Sequence, residues 1–384
     1  MGQLRALRGG AAPFARRTPS SRCLESQGAC LSIPHGREQP DYSRQILLKE
    51  VGAAGQAILA RARVLIVGLG GLGSPVMQYL AGAGVGFLGV IDADALDASN
   101  LHRQPIYALS DVGKTKAELA RAAIARINPA VQVEAHAVRF NDGNALALIR
   151  GYDIILDCSD NFRTKYLIND AAVLAHKPAV FASVYQYEGQ LQVYKPDPRH
   201  ACLRCLWPDA TADGVVGNCA EAGVLGPVPG AFGTMQALLT LKILLEISGQ
   251  LEGELLLLDF MNFSSTKIKA ARRAECRAPA CAHIREVAPE DSDIEIALDS
   301  LAAAAEQGLD VIDIRSLEEV AAQPAPARHI PMHELLANPS LLVAGRPAVL
   351  VCATGRRSLA AAQMLRKQGL AVRSLAGGLQ DLER

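Results

Sequence analysis

Two loops near opposite ends of this chain have residue types and spacing suited to chemistry. Gly68-Leu69-Gly70-Gly71-Leu72-Gly73 follows the apolar run 64–67 and opens a helical pattern. Glycines at this spacing let a backbone approach phosphate closely, and the following helix N-terminus adds N–H donors and positive potential. Cys352-Ala353-Thr354-Gly355-Arg356-Arg357-Ser358 follows the apolar run 348–351. Backbone N–H groups curled around Cys352, the next helix N-terminus and Arg356 or Arg357 would stabilise a thiolate or a terminal persulfide sulfur. A chain with both loops is suited to spending a nucleotide on an acceptor that then receives sulfur.

The residues around the first loop narrow the nucleotide chemistry. Asp92 ends the next strand pattern, about 20 residues on, where an acid binds ribose hydroxyls. Gly68, Gly70, Gly71, Gly73 and Asp92 alone fit a nicotinamide or flavin dehydrogenase, or a tight structural turn. The polar segment Asn100-Leu101-His102-Arg103-Gln104, then Lys116, then Asp157-Cys158-Ser159-Asp160-Asn161 shift the balance. Cations neutralise phosphate charge and a carboxylate holds magnesium, the set that nucleotidyl transfer requires. Singly, each also fits a solvated loop charge; together they favour adenylation.

These groups need strands and helices to position them. The pattern predicts a helical lead-in over 42–60, strands at 62–67, 85–92, 131–139 and 152–157, and helices at 74–83, 114–127 and 161–176. Strands follow within 179–194 and at 255–259, with a long helix over 227–248. Alternating strands and helices of these lengths imply an α/β fold, Rossmann-like, with a mainly parallel sheet and helices on both faces. At 293–384 a separate small α/β unit is expected, with strands at 311–314 and 349–351 and a helix at 358–367. Residues 41–286 would form the nucleotide-binding domain. Residues 1–40, with six arginines against two glutamates and no apolar period, read as a disordered extension, with an organelle transit peptide as the other possibility.

Whole-chain totals exclude several classes. The 384 residues hold 39 basic and 39 acidic side chains, so net charge points to neither nucleic acid nor an anionic membrane. No run of about 20 apolar residues suits a membrane span. Nine cysteines in these contexts suit thiolate or metal chemistry in a reducing compartment, so a cytoplasmic location is expected. Cys202-Leu203-Arg204-Cys205 is a two-residue knuckle suited to zinc, with Cys276 and Cys281 as the second pair and Cys281 with His283 as the alternative. Four thiolates would fill the metal's shell and make the site structural. Cys219, within Gly217-Asn218-Cys219-Ala220-Glu221, fits a packed cysteine on its residue type alone.

Residues 41 to about 275 resemble the MoeB/ThiF branch of the ubiquitin-activating-enzyme superfamily. The resemblance rests on Tyr42-Ser43-Arg44-Gln45, the glycine loop, Asn100 to Gln104, Val112-Gly113-Lys114-Thr115-Lys116 and Asp157 to Asn161. It implies that ATP adenylates the C-terminal glycine of a ubiquitin-like sulfur-carrier protein. It also implies Asp92 on the ribose, Asn100, Arg103 and Lys116 on the phosphates, Asp160 on Mg2+, with Asn161 beside it, and Arg44 reaching ATP from a second subunit of a homodimer. Lys165 stands where the family has arginine. A structural Zn2+ and a second-step role for Cys219 are further implications. The C-terminal unit resembles a rhodanese domain, through Ile312-Asp313-Ile314-Arg315, the loop from Cys352 to Arg357, and Leu375-Ala376-Gly377-Gly378-Leu379. That implies sulfur carried as a persulfide on Cys352, supplied by a donor such as a cysteine desulfurase. A MoaD-like carrier would mean molybdenum cofactor synthesis and a ThiS-like one thiamine synthesis; other carriers feed cysteine synthesis or tRNA thiolation. A Rossmann oxidoreductase with a regulatory rhodanese module and a non-catalytic scaffold are the competing readings.

Overall fold

A computed structural model describes residues 40–382, apart from 198, 209–222, 274–275, 277–283, 285–286, 288–292, 344 and 367. Cys219, Cys281 and the N-terminal extension therefore lie outside the described residues.

The larger sheet has eight strands: β1 (Arg63–Val67), β2 (Phe87–Ile91), β3 (Gln132–His136), β4 (Ile154–Asp157), β5 (Ala179–Tyr185), β6 (Glu188–Tyr194), β7 (Glu254–Asp259) and β8 (Ser264–Lys269). Their order is β3-β2-β1-β4-β5-β6-β7-β8. The first five run parallel; β6, β7 and β8 then add as antiparallel meanders. The parallel strands are apolar without alternation because both faces are covered. Val64 and Ile66 pack toward helices Gly73–Gly82, Lys116–Ile127 and Pro227–Leu244, while Leu65 and Val67 pack toward Asp142–Arg150 and Phe162–Leu174. Every residue of β8 is exposed, which is why its polar sequence gives no strand signal.

The 42–60 lead-in is two helices, Ser43–Ile46 and Gly52–Leu59, rather than one. The turn at 47–51 separates them, and Gly52, which opens the second helix, has φ +55°, a left-handed conformation that a continuous helix does not contain.

The smaller sheet is wholly parallel and five-stranded: β9 (Glu295–Ile296), β10 (Asp310–Asp313), β11 (Arg328–His329), β12 (Ala348–Val351) and β13 (Val372–Leu375), in the order β11-β10-β12-β13-β9. Ile312, Leu350 and Cys352 pack on one face; Val311, Val349 and Val351 pack on the other. Both expected folds are present. Among the described residues, no helix is long and apolar enough to cross a membrane.

Candidate active sites

The loops after β1, β2 and β4 meet at the carboxyl ends of the parallel strands, the edge where open α/β sheets bind ligands. Gly68 has φ +93°, and a Cβ there would lie 2.6 Å from the Cys158 carbonyl oxygen. A Cβ on Gly73 would lie 2.1 Å from the Gly68 oxygen. Both glycines are therefore demanded by backbone packing. Gly70 differs: its Cβ would meet only Gln104 Nε2, at 3.5 Å. At Gly71 the nearest atoms belong to Pro229 at 3.1 Å, with the Arg103 carbonyl oxygen at 3.5 Å.

Asp92 stitches two of these loops together. Its carboxylate accepts the Leu69 N–H and the Asp94 N–H, each at 2.8 Å. Burial pushes its pKa up, against the opposing charge of Lys116 and those two hydrogen bonds. Lys116, first residue of its helix, reaches Asp94 Oδ2 at 2.9 Å with its side chain only 8 % exposed. Arg103 donates to the Ser99 carbonyl at 2.9 Å and lies 2.8 Å from His102 Nε2. Asn100 closes a short turn, its Oδ1 3.4 Å from the Asp97 N–H. Asn161 caps the helix Phe162–Leu174, accepting the Thr164 N–H at 2.8 Å. Asp160 is exposed beside it, Oδ1 3.5 Å from Asn161 Nδ2. Arg44 is exposed on the helix Ser43–Ile46, next in the chain to exposed Leu47 and Leu48.

One buried pair has no counterpart in the sequence reading. Lys165 forms an ion pair with Asp157 and donates to the Ala182 carbonyl at 2.7 Å; both side chains are buried. Asp157 also accepts from Ser159 Oγ at 2.5 Å, while Gln236 donates to the Asp157 carbonyl at 2.8 Å. Lys165 thus braces the turn that carries Asp160. Its partner lies eight residues earlier, on a strand, which no helical spacing rule reveals.

The knuckle is formed. The sulfurs of Cys202, Cys205 and Cys276 lie within 4.8 Å of one another, all three side chains buried, and the first two are 3.7 Å apart. A tetrahedral zinc with bonds of about 2.3 Å holds its sulfurs about 3.8 Å apart, so the donor set fits. The hydrogen bond from Cys202 holds the Cys205 thiol well below the usual thiol range. Cys281 and His283, the candidates for a fourth ligand, lie outside the described residues.

The sulfur loop is built differently. Cys352 follows β12 and is wholly buried. The Leu379 N–H donates to its carbonyl at 2.9 Å and the Gln380 N–H to that of Ala353 at 3.0 Å, so the chain after β13 closes over the loop. Gly355 has φ +77°, and a Cβ there would press to 3.0 Å from the amide nitrogens of Gly377 and Gly378. The Ser358 N–H, at the start of helix Arg356–Arg366, reaches Cys352 Sγ at 3.4 Å. Arg357 does not hydrogen-bond the sulfur: its guanidinium clasps Glu319 through both nitrogens, and that contact holds the Glu319 carboxyl down at about 2.

Comparison with known proteins accords with both halves. The ThiF family profile matches residues 42–278 and the rhodanese-like domain profile matches 297–384. A protein named sulfur carrier protein adenylyltransferase from Thermus thermophilus is 47% identical over 244 residues, 62% of this chain and 89% of that protein. One named adenylyltransferase and sulfurtransferase MOCS3 from Aedes aegypti is 36% identical, covering 92% of this chain and 88% of that one. The crystal structure of E. coli MccB with ATP shares the fold with a TM-score of 0.52 at 23% identity, over 59% of this chain and 68% of that chain. This chain belongs to the ThiF family and carries a rhodanese-like domain at its C-terminal end.

Proposed function

We propose that this protein uses ATP to adenylate the C-terminal glycine of a ubiquitin-like sulfur-carrier protein and then converts that glycine to a thiocarboxylate with sulfur held on Cys352. The observation that carries the reading is the pairing, in one chain, of a nucleotide-type loop cluster with a cysteine loop of rhodanese type. The relatives' names, adenylyltransferase and sulfurtransferase, agree with it.

In the first step a carrier carboxylate oxygen attacks the α-phosphorus and pyrophosphate leaves, giving an acyl-adenylate. Lys116 and Arg103 neutralise charge that builds on the phosphate oxygens, Arg44 doing so from the second subunit of a homodimer. Asn100 contacts the phosphates, Asp92 orients the ribose, and Asp160, next to Asn161, is the residue that would hold Mg2+. In the second step the terminal sulfur of the Cys352 persulfide attacks the acyl carbon and AMP leaves. Cys219 thiolate then attacks Sγ of Cys352; the S–S bond breaks toward the acyl group, which departs as thiocarboxylate, and the protein is left with a disulfide for an external thiol to reduce. The buried thiols of Cys202, Cys205 and Cys276 would hold a structural Zn2+, with Cys281 or His283 completing the set. A cysteine desulfurase is the expected sulfur donor.

The test is ATP–pyrophosphate exchange on the purified full chain with MoaD-like and ThiS-like carriers added separately. Exchange that needs one carrier and its terminal glycine is expected. Absence of exchange with every carrier, in protein that is folded, would refute the reading.

A further inference from the structure

Cys352 makes its side-chain hydrogen bonds, among the described residues, with Ser358: the Ser358 Oγ is 3.5 Å from Sγ and the Ser358 N–H 3.4 Å. Behind Ser358 stands Ser374, on the neighbouring strand β13, donating to Ser358 Oγ at 2.9 Å. All three side chains are fully buried, so water does not compete for these bonds. Among the charged groups on the elements around the loop, Asp313 pairs with Arg315 and Glu319 with Arg357. Asp381 lies beside Gly377, and Arg356 opens the helix.

The hydroxyls offer fewer protons than there are acceptors. Ser358 has one hydroxyl proton and two places for it, the Gly355 carbonyl at 3.0 Å and Sγ at 3.5 Å. Ser374 likewise chooses among Ser358 Oγ, the Gly355 carbonyl at 3.4 Å and the Leu375 carbonyl at 3.5 Å. With a neutral thiol, the S–H donates to Ser358 Oγ and the Ser358 proton goes to Gly355. With a thiolate, sulfur only accepts, so the Ser358 proton turns to it and Ser374 supplies the bond to Ser358 Oγ. A hydroxyl that accepts one hydrogen bond donates the next more strongly.

We propose that Ser374 acts through Ser358 as a two-hydroxyl relay that stabilises the thiolate of Cys352. Ser374 is a positioning residue here, since it never touches sulfur. The inference extends the sulfur-carrying role given above to Cys352, yet its test needs no sulfur transfer.

The full-length chain and its Ser358→Ala, Ser374→Ala and doubly substituted variants are titrated by ultraviolet thiolate absorbance, each against the same protein carrying Cys352→Ala, so that the difference reports Cys352 alone. Thermal unfolding of every variant checks that it is folded. Ser358→Ala is expected to raise the midpoint by about one pH unit, roughly a tenfold loss of thiolate below it. Ser374→Ala is expected to raise it by about half as much, and the double variant no further than Ser358→Ala. A midpoint unmoved in folded Ser374→Ala, or additive shifts in the double variant, would overturn the relay. A failure to form thiocarboxylate in the unsubstituted protein would remove the sulfur role while leaving the titration to stand.

Discussion

The glycine loop and the cysteine loop are the same device at first sight. Each leaves the carboxyl end of a parallel strand and runs into a helix N-terminus, and each depends on glycine in a left-handed conformation, Gly68 at φ +93° and Gly355 at φ +77°. They differ in what fills the bend. Around the glycine loop Lys116 pairs with Asp94 and Asp92 accepts from backbone N–H groups, at a surface where Asp94 is 70 % exposed. Around Cys352 the bend is filled by sulfur and two serine hydroxyls, all three side chains fully buried. A site that takes a large anionic substrate from solution keeps replaceable partners for its cations. A site that carries a single atom covalently needs only donors aimed at that atom.

The sharpest break between the two loops comes from removing one at a time. Cys352→Ala is expected to abolish thiocarboxylate formation with a physiological donor while leaving ATP–pyrophosphate exchange within about twofold of normal. Lys116→Ala should do the reverse, lowering carrier-dependent exchange by roughly 10²–10³-fold, the usual cost of one lost charge-stabilising donor. Persulfide loading of Cys352 in that variant, read by mass spectrometry, should be unchanged. If Cys352→Ala also stopped exchange, the two loops would not be separable functions.

Gly68→Ala forces a side chain into a left-handed backbone and against the Cys158 carbonyl, so a loss of about 3 kcal/mol of stability is expected. Gly70→Ala meets ordinary contact distances and should leave stability within about 0.5 kcal/mol, while weakening ATP binding by placing a methyl where phosphate approaches. Calorimetric unfolding and ATP titration of the two variants separate packing from recognition. Equal destabilisation by both would mean that Gly70, too, is a packing residue.

These distinctions show what was legible in the residues alone. The spacing of Gly68 to Gly73 after an apolar run marked a loop, but which glycine serves packing depends on the carbonyl of Cys158, the residue just after β4 and some 90 residues later in the chain. Asp92 was legible as an acid at a strand end; its two backbone partners were not. The burial of Lys165 against Asp157 is a fact of β4 meeting a helix, which the residues around Lys165 do not show. Arg357 looked like a sulfur ligand because it sits within the loop, whereas Glu319, 38 residues earlier, holds it. Local chemistry was readable, and partners brought from other strands were not. The exposed β8 escaped for a related reason: with no buried face, Ser264 to Lys269 has no alternation to read.

A smaller effect than that of Gly68→Ala is expected at the Glu319–Arg357 clasp. Hydrogen bonds from Arg357 hold the Glu319 carboxyl at about 2 in the folded protein, below the 4.5 of the free side chain. A depressed carboxylate pKa adds stability that is present above the unfolded value and is lost as pH falls through the folded one. The window here runs from about pH 4.5 down to about pH 2. Glu319 is 36 % exposed, so solvent screening cuts the contribution to about 1 kcal/mol at neutral pH. Glu319→Gln should therefore lower the unfolding temperature of the C-terminal unit by about 4–8 °C at pH 7. Because the folded carboxylate is still ionised near pH 3 while the unfolded one is mostly protonated, the gap should shrink there to under half. Thermal unfolding of both proteins at the two pH values, followed by circular dichroism, reads it directly. A gap that does not change with pH would mean that Glu319 acts through its capping contact with Ser316 rather than through its charge, and the ion pair would then have no part in holding the cysteine loop.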